Sequence, residues 1–330
     1  MIPTQSFWAE EPLHPIPSRH GAQYIADWIF MVSLLNFSFW SELGDTIDQV
    51  RYAVTFDDGI DGKGKGVSKE WTGYWSLPAA VNRALKEGIP ATSPKYWTEA
   101  SDEHLRYLFR ASVRSKEDVP LLDTRIRLLR EAGEILVRDH QGSFYNVMRS
   151  CHRGSTIDAL TLVQEVVNTF PMFRDEAMHP KVGKVYLWKR PQILVAELWA
   201  AFESVKGSDS DFPVITAIRN LTMFADYRVP QILHFLNLID YSPSLLAKLS
   251  NKDYIESGSE VEINLRALSI VAVEELRREV VALLEKQERI EESKGINAVL
   301  LDFWLWNKAK EWESQGKKMV ECHRTRSIWY

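Results

Sequence analysis

A mainly α-helical protein is the fold class this sequence predicts, on three observations. Apolar residues recur at helical spacing in the segments RIRLLREAGEILVRD, TIDALTLVQEVVNTF, RPQILVAELWAAFESV and RALSIVAVEELRREVVALLEKQERIEES. Strand-like alternation is confined to one stretch near residues 50–76. Proline and glycine punctuate the intervals between these runs, as around Gly207 and Ser242-Pro243.

In chain order, Ile25 to Trp40 is an amphipathic, helix-compatible run that ends in the compact string LNFSFW. VRYAVTF and EWTGYWS then alternate across the glycine-rich link DDGIDGKGKG, which predicts a small β-hairpin with a flexible loop. The helical segments follow. In the last of them Leu268, Ala272, Leu276, Val280 and Leu284 recur every four residues and predict the buried stripe of a long helix. No repeat at a solenoid period and no composition shift divides the chain. One helical domain over residues 1–330, decorated by the hairpin, is therefore expected.

Composition narrows the function classes. A chain of 330 residues with 45% hydrophobic and 26% charged residues is ample for a core without staples. The formal net charge of -5 offers no basic footprint for a phosphate backbone, so a stable nucleic-acid partner is not expected. Cys151 and Cys322 lie outside zinc-like spacing, and no apolar run reaches the roughly 20 residues a membrane span needs. A soluble, cytoplasmic protein is the expectation, and its eight histidines show no metal spacing.

Few motifs carry chemistry by themselves. Asp57 to Gly66 contains GKG without the hydroxyl residue of a P-loop, and as a calcium loop it ends on Ser68 where a glutamate is needed. In TMFADYRVPQIL, Asp226 stands among Phe224, Tyr227 and Arg228. It reads either as a carboxylate with a perturbed pKa or as a helix N-cap paired with Arg228. In LLDFWLWNKAK, Asp302 and Trp306 share one helix face, and Phe303 and Asn307 another. These faces line a ligand slot or belong to the core. Lys189 and Arg190 precede a helix-compatible run from about Pro191, either as an anion site or as a solvated pair. His20 and His323 read as surface or packing histidines.

LNFSFW at 35–40, TGYWSLPAAVNRALKEGIP at 72–90, YLWKRPQILVAELW at 186–199, TMFADYRVPQIL at 222–233 and LLDFWLW at 300–306 together, in this order, closely resemble the queuosine salvage protein family. The resemblance implies a helical fold distantly like that of DNA glycosylases. It also implies hydrolysis of the N-glycosidic bond of queuosine 5′-phosphate, releasing the base queuine. It puts the catalytic carboxylate on Asp226 and base contacts on Phe224, Asp302 and Phe303, with Tyr227 and Trp306 beside them. Asn307 stands where the family usually has an acid, and His20 is the candidate for the histidine contributed near the N-terminus. Cations for the 5′-phosphate are expected from Lys189, Arg190 or Arg228. The rival readings are a DNA base-excision glycosylase and a non-enzymatic helical scaffold.

Overall fold

The computed structural model describes residues 7–43, 45–46, 49–205 and 212–330. Helices dominate it, and every sheet among the described residues has only two strands. The chain divides into two compact units. Of the described residues, one comprises Phe7–Phe173 together with those of Leu194–Thr216, and the other comprises Arg174–Ile193 and Ala217–Tyr330. The division falls inside the helix Lys189–Glu203.

In the first unit the helix Ala22–Leu34 is buried along most of its length. Its Trp28 donates its indole N–H to Asn82 Oδ1 at 2.9 Å, and Asn82 in turn donates to the carbonyl of Leu13. The LNFSFW string that follows is held by Arg125, a fully buried guanidinium whose two ends reach the carbonyls of Leu35 and Phe37 while its plane lies 4.3 Å from the Phe37 ring. A buried cation of this kind persists only when its donors are satisfied, which these carbonyls accomplish. Helices Pro94–Glu99 and Leu122–Asp139 pack closely at Gly133, where an added Cβ would stand 3.0 Å from the carbonyl oxygen of Pro94.

The expected hairpin forms from strands Ala53–Asp57 and Ser68–Thr72, antiparallel with Ala53 opposite Thr72 and Asp57 opposite Ser68. Its loop is tied down, contrary to the flexible link expected. Asp58 accepts the amides of Lys65 and Val67, Lys63 Nζ donates to the carbonyls of Glu11 and His14, and the Ile60 amide donates to Pro12. Gly59 and Gly64 lie so close that a Cβ on Gly59 would meet the Gly64 nitrogen at 2.6 Å. These glycines serve close backbone approach. A second departure is Thr156–Asp158, expected to start a helix, which is instead a strand parallel to Val214–Thr216. The helix begins at Ala159 because the Asp158 carboxylate accepts the Thr161 amide and caps it.

In the second unit the helices Arg228–Phe235, Glu260–Lys286 and Ala298–Ser314 share a core of residues that include Met223, Val229, Leu233, Val273, Leu301 and Leu305. The helix Glu260–Lys286 starts six residues before Arg266, capped by Ser259, and its buried stripe differs from the one predicted. Leu284 is buried and Ala272, Leu276 and Val280 pack at the margin, but Leu268 is 44% exposed and Leu265 and Ser269 take its place. Four residues turn the helix by about 400°, so a row at that spacing drifts about 40° per step off any single face. A further antiparallel hairpin, Glu176–His179 with Gly183–Tyr186, precedes the helix Lys189–Glu203. No described helix is long and apolar enough to cross a membrane.

Candidate active site

The segment Leu221–Tyr227 runs outside regular structure into the helix Arg228–Phe235, and Asp226 stands at the junction. Its Oδ1 accepts the amide N–H groups of Arg228 at 2.8 Å and of Val229 at 2.9 Å. The next residue, Pro230, has no N–H to satisfy, which suits the first turn of a helix. One carboxylate oxygen thus caps the helix, while Oδ2 has no hydrogen-bond partner among the described residues. Of the two sequence alternatives, the capping one is seen at this side chain. The pairing with Arg228 does not occur. That guanidinium goes to the carboxylate of Glu313 and, at 2.9 Å, to Gln231 Oε1.

Asp302, on the helix Ala298–Ser314, is 5% exposed, and its Oδ2 accepts the Phe224 amide N–H at 2.9 Å. Its pKa lies well above the ordinary carboxylate value. Burial is the main cause and the charge of Asp226 the second, opposed by the Phe224 N–H and by the charge of Lys189. The two carboxyl groups therefore lie near enough for the charge of Asp226 to act on Asp302.

Aromatic residues flank these acids. Phe224 is buried, Phe303 and Trp306 are half-buried, and the Phe224 and Phe303 ring centroids are 5.5 Å apart with planes inclined by 66°. The pair presents a face and an edge rather than two parallel walls. Tyr227 is half-buried, and burial pushes its hydroxyl pKa upward. Asn307 is exposed, away from the buried face that carries Asp302.

Lys189 and Arg190 are buried, at 5% and 1% exposure, so the solvated-pair alternative fails. They occupy the first turn of the helix Lys189–Glu203, which starts two residues before Pro191. Cations at the positive end of a helix are unfavourable by themselves. Lys189 stands in the field of the Asp302 carboxyl, and its backbone amide donates to Asp175 Oδ2 at 3.2 Å.

His20 lies in the first compact unit, where its Nε2 meets Asp61 at 2.9 Å and its ring stacks on Tyr24. The buried histidine of that segment is His14, stacked 4.0 Å from Trp8 with neither ring nitrogen hydrogen-bonded among the described residues. Burial, then the charge of Lys63, pushes its pKa down to about 3.

Several residues around Asp226 carry no signal in the sequence. Cys322 donates its thiol to Gln231 Oε1 at 3.1 Å, and burial pushes its pKa up to about 11, which makes it an inert thiol. His323, expected at the surface or in packing, is buried with its Nε2 3.1 Å from the Tyr330 hydroxyl. Its partner Tyr330 closes the same HRTRSIWY string seven residues on, so the packing alternative holds for His323. Among the described residues no cluster of three or more His, Cys, Asp or Glu side chains could hold a metal ion.

Residues 13–330 match the protein family described as queuosine salvage protein. The chain is 40% identical to the queuosine 5′-phosphate N-glycosylase/hydrolase of Mus musculus, over 100% of this chain and 90% of that protein. It is 36% identical to the protein of that name in Schizosaccharomyces pombe, over 98% and 87% of the two chains. The corresponding protein of Sphaerobacter thermophilus is 33% identical over 94% of this chain and 83% of its own.

Proposed function

Because the chain belongs to the queuosine salvage protein family, we propose that it is a hydrolase that cleaves the N-glycosidic bond of queuosine 5′-phosphate and releases queuine. The observation that carries this reading is the Asp226 carboxylate, with one oxygen locked by two helix amides and the other open, beside the buried acid Asp302.

Breaking the bond between sugar C1′ and the base nitrogen leaves positive charge on the sugar and the electron pair on the base. A fixed carboxylate stabilises that cation, and water adds at C1′, its hydroxyl remaining on the sugar and its proton ending on the base. Queuine is a 7-deazapurine, so the ring position at which ordinary purine leaving groups are protonated is carbon. Stabilisation of the sugar cation by Asp226 consequently does more of the work than it would for an ordinary purine. The helix capped by Asp226 supports this role, since its amides hold the carboxylate in place before charge develops.

Phe224, Phe303 and Trp306 pack against the planar base, with Tyr227 beside them, and Asp302 pairs with the ammonium of its side arm. Lys189 and Arg190 take the 5′-phosphate. Arg228 is the weaker candidate because Glu313 and Gln231 engage it. The enzyme acts in this reading as a cytoplasmic monomer without a cofactor. Its helical fold suits the distant likeness to DNA glycosylases that the family implies.

The test is to incubate the purified protein with queuosine 5′-monophosphate and to follow free queuine by mass spectrometry. Release by the parent and its loss in Asp226→Asn are expected. No release across a range of pH rejects the reading.

A further inference from the structure

Arg266 lies on the helix Glu260–Lys286, is 1% exposed, and uses every edge of its guanidinium. Nε donates to the carbonyl of Ala225 at 2.8 Å, directly before Asp226. Nη1 donates to Asp175 Oδ1 at 3.0 Å and to Glu262 Oε1 at 3.2 Å, and Nη2 donates to Asp175 Oδ2. The Tyr330 ring covers one face, 4.1 Å from the guanidinium carbon.

Asp175 is equally committed. Besides Arg266 it accepts the Lys189 amide on Oδ2, and its carbonyl accepts the amides of Leu187 at 3.0 Å and Trp188 at 3.3 Å. Trp188 holds a φ of 47° in that turn, a left-handed conformation costly for a residue with a Cβ. Asp175 bonds on both sides of it. One buried ion pair thus joins the backbone that presents Asp226 to the turn that presents Lys189.

We infer that Arg266 and Asp175 are positioning residues that hold Asp226 and the Lys189 turn in one fixed arrangement, so that a substrate meets its carboxylate and its cation at set positions. The inference rests on the function proposed above for Asp226 and Lys189. Buried ion pairs add little to stability compared with apolar packing, and a role in fixing geometry is the better reason to keep one. A guanidinium can do this where an ammonium cannot, because only its planar fork serves a carboxylate with two nitrogens while the third meets a carbonyl.

The test compares Arg266→Lys, Asp175→Asn and, as control, Glu262→Gln in the full chain. Glu262 touches Arg266 but bonds neither Ala225 nor the 187–189 turn. Two measurements are made: steady-state hydrolysis of queuosine 5′-monophosphate, and hydrogen exchange of the amides of Arg228, Val229 and Lys189. In both test variants kcat should fall about 10- to 100-fold, the cost typical of a misplacement near 1 Å, and KM for the nucleotide should rise as the Lys189 turn loosens. Exchange should accelerate in both segments together. The control should keep the parental kcat and exchange, even if its Tm drops. A kcat in the test variants equal to that of the control, or faster exchange confined to one segment, overturns the inference. If Arg266→Lys does not fold, Asp175→Asn decides by the same criteria. Should the parent itself fail to hydrolyse the nucleotide, the proposed function falls, and the exchange measurement alone decides whether the two segments are coupled.

Discussion

In the proposed mechanism Asp226 serves structure and chemistry through different oxygens, of which Oδ1 caps the helix. Asparagine is also a good helix cap, so Asp226→Asn retains an acceptor for the Arg228 and Val229 amides while removing the charge. This variant should keep the parental Tm within a few degrees and still bind queuine, while kcat falls about 100- to 1000-fold, the usual loss for one preorganised electrostatic group. Calorimetry and product release measure the two halves, and parental turnover would remove Asp226 from its role. Asp302 makes a second residue-scale prediction through its raised pKa. A carboxyl whose folded pKa exceeds its unfolded value binds more protons in the native state, so its contribution to stability falls as pH rises from about 4 through the raised pKa. An asparagine side chain at this position cannot titrate. The Tm of Asp302→Asn relative to the parent should therefore climb over that window and then level off, and a difference independent of pH would show that Asp302 is ionised throughout. Queuine should narrow the gap at high pH, because its ammonium favours the carboxylate.

At the scale of elements, the start of the helix Lys189–Glu203 sets two buried cations beside the amides of its first turn, the surroundings in which the proposed function puts the 5′-phosphate. Lys189→Met keeps the aliphatic stem and removes the charge. Affinity for queuosine 5′-phosphate should drop about 10- to 100-fold, in line with a hydrogen bond to a charged group. Affinity for the unphosphorylated nucleoside should change much less. Titration calorimetry with both ligands checks this, and equal losses would assign Lys189 to the support of Asp302, whose field it shares. The capped helix Arg228–Phe235 and the helix Ala298–Ser314 meet in one core, and the Phe224–Asp302 hydrogen bond crosses between the acid strings at that junction. Carboxyls 76 positions apart in sequence are brought together by two elements whose apolar faces bury each other.

At the scale of the whole molecule, the proposed nucleotide hydrolase and a glycosylase working on DNA differ in what they ask of a chain with a formal net charge of -5. Binding to duplex DNA draws on counterion release by cationic side chains, and hydrolysis of a free nucleotide does not. Fluorescence anisotropy with a duplex oligonucleotide at about 0.1 M salt should show no saturable binding, and tight binding that weakens with salt would favour the DNA-repair reading. Local features are legible in the amino-acid order alone: helical runs from periodicity, the hairpin from alternation about positions 53–72, and an acid in FADYR followed by a helix start. Each follows from interactions within a few residues along the chain. Which charges are buried, and what they meet, emerges only once the elements pack. Lys189 and Arg190, readable in sequence as an anion site or a solvated pair, are buried, and Leu268 leaves the stripe its spacing assigned it. The brace between Asp175 and Arg266 joins residues 91 positions apart, with no motif around either. Burial and long-range pairing depend on how elements pack, and that information is spread over the whole chain, so no short string of residues carries it.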